Sequence, residues 1–308
     1  MNVKRLTIGT RGSDLALYQS NFIKSVLVKD HKCDTDIKII KTAGDKLDSL
    51  SFDKMEGKGF FTKELEEALL SGEIDLAVHS LKDLMTTQPV GLKLGAAGYR
   101  ADRRELLLIN KKTRVAEGLI PVKAGGIIGT SSARRKCQIA AANPALKIED
   151  LRGNVPTRVR KLREGHYDAI IIAAAGVSRL GLDISDFEAI YLDPQQFLPA
   201  PAQGVLGIQI REGDASVESV VSMLGSKKEM AEAMLERGLL ARFDGGCSLP
   251  LGVYSEERGG MMTLAAVLGI RDGDGWSGLE RYSCTGRDTS AVIEEVFENL
   301  SRKMKTCA

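Results

Sequence analysis

Apolar and polar residues follow each other in the N-terminal third of the chain in a pattern that predicts a β-α-β arrangement. Residues 5–10 and 36–43 are short, mainly apolar runs typical of strands, and 13–29 carries apolar side chains at helical spacing. A second helix is predicted over 60–72 and a buried strand over 74–80. Strands that alternate with helices indicate an open α/β sheet.

The same order of elements recurs in the middle of the chain. Residues 125–142 repeat the strand, a Gly-Thr turn and the helix. Further strands are predicted over 145–150 and 167–176, around a helix at 154–164. Because the tripeptide Ile-Gly-Thr ends the first strand of both sets, we expect two similar α/β domains.

The last part of the chain has a different pattern. Residues 262–286 predict a β-hairpin around an Asp-Gly turn, and 289–305 predict an amphipathic helix. We therefore expect a third, smaller domain of the α+β class.

Composition is that of a folded protein without a dominant charge. The 308 residues are 43% hydrophobic and 27% charged, with a formal net charge of +2. This length allows two or three domains of about 100–150 residues each. The near-neutral balance gives no reason to expect a nucleic acid or a membrane as partner, so any electrostatic function depends on local clusters.

Cysteine usage and the N-terminal sequence favour a reducing, cytoplasmic setting. The cysteines form no C-x-x-C pair, which disfavours a zinc site or a disulfide framework. They are Cys33, Cys137, Cys247, Cys284 and Cys307. The N-terminal residues contain no apolar signal-peptide core, and no apolar run approaches the about 20 residues that span a membrane.

A local concentration of positive charge occurs in residues 130–163. Nine arginines and lysines stand there against only Glu149 and Asp150, and Arg134 and Arg135 lie near a predicted helix start. Helix N-termini attract anions, and arginine binds carboxylates or phosphates bidentately, so a small polyanionic ligand is one interpretation. A solvated basic face or an RNA-binding patch is the alternative, although the low aromatic content, 5%, gives little support to base stacking.

The segment HSLKDL, residues 79–84, follows a predicted buried strand. Ligands of open α/β sheets bind beyond the carboxyl ends of strands, so Asp83 is expected at the mouth of a cleft, with Ser80 and Lys82 beside it. An aspartate there can move protons and stabilise a developing cation. The alternative for Asp83 is a structural aspartate at a helix start, beside the surface lysine Lys82. The alternative for His79 is a buried structural residue.

Two glycine-rich segments are candidate functional loops. Residues 56–61, EGKGFF, resemble no phosphate-binding loop of the Walker A type and are interpreted as a flexible loop or lid. In DGGCSLPLG, residues 244–252, two glycines precede Cys247. A free cysteine is commonly a small buried apolar residue, and the chain has only three histidines to serve as a base for a cysteine nucleophile.

Eight ordered segments together resemble the porphobilinogen deaminase family. They are IGTRGSDLALYQ (8–19), KTAGDKLD (41–48), GKGFFTKELEEALL (57–70), DLAVHSLKDL (75–84), IGTSSARRKCQ (128–138), LRGNVPTRVRKL (151–162), PAPAQGVLGIQIR (199–211) and DGGCSLPLG (244–252). GTSSARR and GGCSLPLG are the most specific of them. The resemblance spans nearly the whole chain.

This resemblance implies a transferase of porphyrin and heme biosynthesis. Such an enzyme joins four porphobilinogen molecules head to tail with release of ammonia, and water then frees hydroxymethylbilane. The resemblance implies a dipyrromethane cofactor held by a thioether bond to Cys247, and Asp83 as the catalytic residue. It implies no metal, a monomeric cytoplasmic protein, and hand-over of the product to uroporphyrinogen-III synthase.

The resemblance also assigns binding roles to individual residues. Carboxylate-binding arginines are expected at Arg11, Arg134, Arg135, Arg152, Arg158 and Arg179. Further cofactor or substrate contacts are expected from Ser13, Gln19, Ser80, Lys82, Thr130, Ser131, Ser132 and Gln203. Lys54, Lys58 and Phe61 are assigned to the lid loop.

The implied fold has two α/β domains like those of periplasmic binding proteins, linked by a hinge, and a smaller α+β C-terminal domain. The expected boundaries are 1–98 with 204–222, then 104–198, then 223–308. Met85 and Pro156 depart from the family pattern, and Met85 implies a looser turn after Asp83. A non-catalytic, hinge-closing receptor for an anionic metabolite remains the rival hypothesis on the same fold.

Overall fold

The computed structural model describes residues 5–42, 62–244, 249–273 and 275–306, with side chains to residue 302. The chain divides into two compact units. The first comprises Met1–Ala101 with Gly204–Ala233, and the second Asp102–Gln203 with Met234–Ala308. The predicted division into three domains stays a prediction.

The described part of the first unit is built on a five-stranded sheet. Its strands are β1 (Leu6–Thr10), β2 (Thr35–Ile39), β3 (Leu76–Ser80), β4 (Leu92–Gly98) and β10 (Leu206–Arg211), in the order β2-β1-β3-β10-β4. β1 runs parallel to β2 and β3, whereas β10 is antiparallel to β3 and β4. The helices are α1 (Asp14–Lys29), α2 (Lys63–Leu70) and α6 (Ala215–Val221).

One hydrophobic core of this unit lies between the sheet and α1, and a second one contains Leu65 and Leu69 of α2. Ile23 and Leu27, four residues apart on α1, are fully buried against Ile8 and Leu76 of the strands. Ser13 is the N-cap of α1, as predicted, and its hydroxyl accepts a hydrogen bond from the Ala16 amide at 3.4 Å. The capped start of the helix therefore sits directly after the end of β1.

The second unit repeats this connectivity. Its sheet contains β5 (Glu105–Asn110), β6 (Ile127–Gly129), β7 (Lys147–Glu149), β8 (Ala169–Ala173) and β9 (Phe187–Tyr191), in the order β7-β6-β8-β5-β9. Its helices are α3 (Ala133–Ala142), α4 (Val155–Arg163) and α5 (Ala174–Leu180). β6 runs parallel to β7 and β8, and β5 is antiparallel to β8 and β9. Each Ile-Gly-Thr lies at the same place in its sheet, which confirms the predicted similarity of the two α/β parts.

The C-terminal residues of the second unit form a three-stranded antiparallel sheet. It consists of β11 (Leu251–Arg258), β12 (Met261–Asp272) and β13 (Gly275–Gly286), followed by α8 (Thr289–Thr306). Val292, Val296 and Leu300 of α8 are buried in one core with Leu235 and Leu239 of α7 (Lys227–Arg242). The hairpin and the amphipathic helix were both predicted, and with the two five-stranded sheets they confirm the predicted fold class.

Several boundaries differ from prediction. The strand predicted to reach residue 176 ends at Ala173, and the alanine-rich remainder forms α5 because alanine favours the helix. β2 ends at Ile39, and α2 begins at Lys63. Pro156 stands in the first turn of α4, where the missing amide costs nothing, and Asn154 caps the helix. In the part of the chain that the structure describes, the helices are too short or too polar to cross a membrane.

Candidate active site

A small pocket opens at the carboxyl ends of β1 and β3 in the first unit. It encloses about 90 Å³. Its walls are Arg11, Ser13, Leu15, Ala16, Gln19, Thr62, Leu65, Val78, His79, Ser80 and Asp83. Parallel strands end at the same sheet edge, and ligands of open α/β sheets bind there. Five predicted site residues, Arg11, Ser13, Gln19, Ser80 and Asp83, thus line one pocket.

Asp83 is placed by a short turn that follows β3 directly. Leu81–Asp83 form a single 3₁₀ turn, and the Leu84 amide donates to the Leu81 carbonyl at 3.3 Å. The Leu81 amide donates to the Val205 carbonyl at 2.9 Å, and the Leu81 side chain is fully buried. Because Leu81 anchors the turn in the core, the exposed Asp83 carboxyl is held at the pocket rim.

The turn between β1 and α1 presents Arg11 and Ser13. The Thr10 hydroxyl donates to the Ala16 carbonyl at 3.1 Å, across the start of the helix. Gln19, one turn further along, is 2% exposed and donates from Nε2 to the Ser80 hydroxyl at 2.8 Å. This hydrogen bond ties α1 to the end of β3, so the polar groups of the pocket are held in fixed positions.

His79 is a buried wall of the pocket. Burial, reinforced by the nearby Arg11 guanidinium, lowers the pKa of His79 to about 4, although a hydrogen bond with Gln209 opposes the shift. The ring is therefore neutral near pH 7. This supports the structural interpretation of His79 as a buried residue rather than as a cationic ligand of carboxylates.

In the second unit, Arg134 and Arg135 lie in the first turn of α3, and each is only 5% exposed. Arg134 Nη2 lies 2.6 Å from Glu105 Oε1, and Arg135 Nη2 lies 2.8 Å from Glu105 Oε2. Arg134 Nη1 also donates to the Leu198 carbonyl at 2.9 Å, and Arg135 Nη1 to the Ile171 carbonyl at 3.0 Å. The carboxylate that these arginines grip in this structure is the protein's own.

Two other predicted contact residues are buried in the second unit. Gln203 is fully buried and donates from Nε2 to the Arg103 carbonyl and to Glu105 Oε1. Thr130 is 1% exposed, and its hydroxyl accepts from the Ser132 amide at 3.3 Å. The Ser131 hydroxyl donates to the Leu151 carbonyl. Ser131 and Ser132 are half-buried, whereas Thr130 and Gln203 are buried.

The basic stretch does not form one uniform positive face. Beyond the two buried arginines, Lys136 pairs with Asp150 at 2.7 Å, and Arg160 pairs with Glu164 at 2.8 Å. Arg163 pairs with Asp186 at 2.6 Å. Nearby carboxylates therefore neutralise much of the positive charge that was counted in residues 130–163.

Three further predicted arginines are half-buried. Arg158 Nε donates to the Gly153 carbonyl at 2.7 Å, and Arg152 Nη2 lies 3.7 Å from Asp150. Arg179 stands in the last turn of α5. Lys82 is half-buried beside Asp83. The predicted residues Cys247, Lys54, Lys58 and Phe61 lie outside the described residues.

Glu105 is the residue that sequence reasoning missed. It is a charged side chain at the start of an apolar run, ELLLI, and it is fully buried. An acidic residue at the start of a buried strand indicates a buried partner, because a buried carboxylate requires a cationic or hydrogen-bonding group beside it. The sequence did not indicate which cations would supply it.

The chemistry available in the first unit's pocket combines an acid, a cation and hydroxyl groups. Asp83 can donate or accept a proton, Arg11 can bind a carboxylate, and Ser13 and Ser80 offer neutral hydrogen bonds. Such a set can bind a small ligand that bears carboxylates and can exchange a proton with it.

Comparison with known proteins identifies the family. The model of "Porphobilinogen deaminase, dipyromethane cofactor binding domain" matches residues 6–219, and that of "Porphobilinogen deaminase, C-terminal domain" matches 230–303. The porphobilinogen deaminase of Sulfurimonas denitrificans is 40% identical over 305 residues, which cover 98% of this chain and 93% of that protein. The one from Nitratidesulfovibrio vulgaris strain DP4 is 45% identical over 255 residues, covering 82% and 79%.

Among solved structures, a periplasmic substrate-binding protein of an ABC transporter from Coxiella burnetii matches with 17% identity and a TM-score of 0.44, covering 75% of this chain and 96% of that one. The two family models and the near full-length relatives show that this chain belongs to the porphobilinogen deaminase family.

Proposed function

We propose that Asp83 is the general acid of this chain and that Cys247 carries its cofactor. As a member of its family, the chain is a transferase of porphyrin biosynthesis that polymerises porphobilinogen and has a dipyrromethane cofactor. The rival hypotheses of a non-catalytic receptor and an RNA-binding protein lose their support accordingly. The observation that carries the proposal is the position of Asp83 in one pocket with Arg11, Ser13 and Ser80.

The donor set of the pocket fits a pyrrole that carries acetate and propionate groups. Arg11 is suited to one carboxylate, and the two serine hydroxyls to further oxygens. The exposed Asp83 carboxylate is suited to a pyrrole N–H. When bound, the dipyrromethane supplies a pyrrole carbon as the nucleophile, so no serine or cysteine nucleophile is required of the protein.

Asp83 moves one proton in the proposed deamination. Its carboxyl gives a proton to the leaving amine of porphobilinogen, and ammonia departs with the bonding electron pair. The resulting carboxylate then stabilises the positive charge left on the substrate's pyrrole. It is ready to take up the proton that the attacking pyrrole carbon loses once the carbon–carbon bond has formed.

The remaining assignments rest on the match to the family's motifs. We propose a thioether between the cofactor and Cys247, and carboxylate binding by Arg152, Arg158 and Arg179. For Arg134 and Arg135 we propose the same role, with Glu105 as the group that holds them. Lys54, Lys58 and Phe61 are proposed for the lid.

We further propose three domains, formed by residues 1–98 with 204–222, by 104–198 and by 223–308. A monomeric, cytoplasmic enzyme that passes its product to uroporphyrinogen-III synthase is the proposed setting. The widely spaced cysteines support a reducing compartment. Light scattering on a sizing column measures the oligomeric state.

Asp83→Asn tests the proton-transfer role, with Asp34→Asn as a matched control. Asp34 is an aspartate of the same unit whose side chain is 72% exposed beside Arg5. We expect Asp83→Asn to lower the rate of porphobilinogen consumption by about 10²–10⁴-fold while the cofactor mass is retained. Wild-type turnover in Asp83→Asn would remove Asp83 from this role.

Cys247→Ser tests the attachment site, with Cys284→Ser as its control. Intact mass spectrometry and Ehrlich's reagent are expected to detect the cofactor on the wild type and on the Cys284 variant, but not on the Cys247 variant. An adduct that persists in Cys247→Ser would refute the assignment.

A further inference from the structure

A chain of three polar side chains leads from the pocket wall to the loop beyond Asp83. His79 on β3 is 8% exposed, and Gln209 on the adjacent strand β10 is fully buried. His79 Nε2 lies 3.1 Å from Gln209 Oε1. Gln209 Nε2 donates to Gln88 Oε1 at 2.8 Å, and Gln88 Nε2 donates to the Met85 carbonyl at 2.6 Å.

The sheet register explains why the first two members meet. Gly207 of β10 lies opposite His79, and Gln209 lies opposite Ala77. His79 and Gln209 are therefore diagonal neighbours on the same face of the sheet, within reach of long side chains. Gln88 extends the chain beyond the sheet to a loop that returns to β4.

The direction of these hydrogen bonds is determined at the Met85 end. A backbone carbonyl only accepts, so Gln88 must turn its NH₂ group toward Met85 and its oxygen toward Gln209. Gln209 then donates to Gln88 and turns its own oxygen toward His79. His79 in turn must carry its proton on Nε2, which agrees with a neutral ring.

Flipping either glutamine amide would place two acceptors or two donors opposite each other. If the Gln88 amide were flipped, two oxygens would meet at Met85, and two NH₂ groups would meet at Gln209. Because the other end of the chain is anchored in the buried sheet, the position of the Met85 carbonyl is tied to the core. Met85 is only two residues beyond Asp83.

We propose that Gln88 is a positioning residue for Asp83, acting through its hydrogen bond to the Met85 carbonyl with Gln209 and His79 as its anchor. This inference rests on the proposed catalytic role of Asp83. The 3₁₀ turn holds Asp83 from its N-terminal side through Leu81, and the side-chain hydrogen bonds hold it from its C-terminal side. Among the described residues, Gln88 is not one of those that line the pocket.

Gln88→Glu is the sharpest test, because it alters one of the two hydrogen bonds. The new carboxylate still accepts from Gln209, but it has no donor for the Met85 carbonyl. Gln88→Met removes both hydrogen bonds at similar side-chain length, and it keeps the proposal testable if Gln88→Glu does not fold. Thr87→Ala, an exposed neighbour, is the control.

Steady-state kinetics on the cofactor-loaded enzyme provide the readout. We expect kcat to fall about 10- to 100-fold in both Gln88 variants, since a misplacement of roughly 1 Å costs up to that much. KM, the cofactor mass and the Thr87→Ala kinetics are expected to stay at wild-type values. Wild-type kcat in Gln88→Glu, or a loss confined to KM, would overturn the proposal.

A double-mutant cycle with Asp83→Asn separates positioning from general structural damage. If Gln88 acts through Asp83, adding Gln88→Glu to Asp83→Asn lowers the residual rate no further. A further loss as large as in the single variant would overturn the proposal. Wild-type turnover in Asp83→Asn itself would overturn the general-acid role instead, so the two failures are distinguishable.

Discussion

Replacing Glu105 with glutamine perturbs a deeply buried charge cluster of the second unit. Glu105 is fully buried, and Arg134 and Arg135 are each 5% exposed, so two positive groups and one negative group share a site with little water. Arginine keeps its proton in proteins, although burial lowers the pKa of Arg134 from its ordinary value. Glu105→Gln would therefore leave two like charges without a counter-charge.

The magnitude follows from the contacts. The oxygen of the new amide can still accept from Arg134 Nη2, but its NH₂ group would stand where Glu105 Oε2 now lies 2.8 Å from Arg135 Nη2. Breaking a buried ion pair on one side costs about 3–5 kcal/mol of stability. We expect a loss in that range for Glu105→Gln, and a smaller one for Glu105→Asp, which keeps the charge.

Glu188→Gln is the matched control in the same sheet. Glu188 on β9 pairs with Arg114 at 3.4 Å, and both side chains are about 40% exposed, where an ion pair contributes about 0–1 kcal/mol. Urea unfolding followed by circular dichroism at pH 7 measures both variants. If Glu105→Gln is no less stable than Glu188→Gln, Glu105 does not hold the two arginines.

Two further predictions concern the first unit. Burial lowers the pKa of His79 from 6.5 to about 4 in the folded state, so protonation of its ring favours the unfolded chain. The free energy of unfolding is therefore expected to fall by about 3 kcal/mol in total as the pH drops from about 6.5 toward 4. His79→Gln should lose less stability than wild type over this window, and equal losses in urea titrations at each pH would contradict the assignment. Gly204→Ala should destabilise by at least about 2 kcal/mol, because φ is +86° and the new Cβ would lie 2.5 Å from the Ala101 carbonyl oxygen. Gly213→Ala, with φ of +76° and open space, should cost only about 1 kcal/mol, and equal melting temperatures for the two variants would show that the close contact relaxes.

Elements with strong local signals were predictable from the sequence. The helices α1 and α3, the β12–β13 hairpin and α8 follow from helical spacing, a serine cap and an Asp-Gly turn. The strands β4, β5, β9, β10 and β11 were not predicted. β5 and β10 each pair antiparallel with two strands that lie far from them in sequence, so their pairing depends on partners that no local window contains.

The pocket in the first unit was largely predictable, and the second unit's arginine cluster was not. Residues placed just after β1 and β3 converge because parallel strands end at one edge, and Arg11, Ser80 and Asp83 follow this rule. Charge counting in residues 130–163 missed Glu105 because it lies outside that stretch. Only strand pairing brings its carboxylate between the guanidinium groups of Arg134 and Arg135.

By itself, the sequence determined several of the helices and strands, the duplicated α/β pattern, the family and the position of Asp83 after a buried strand. These depend on residues close together in the chain or on motifs matched one by one. Tertiary structure alone decided that Gln88 and Gln209 connect His79 to the loop beyond Asp83, and that Glu105 neutralises part of the basic stretch. Such contacts join side chains distant in sequence, and burial then gives their hydrogen bonds and charges an energetic weight that they would not have in water.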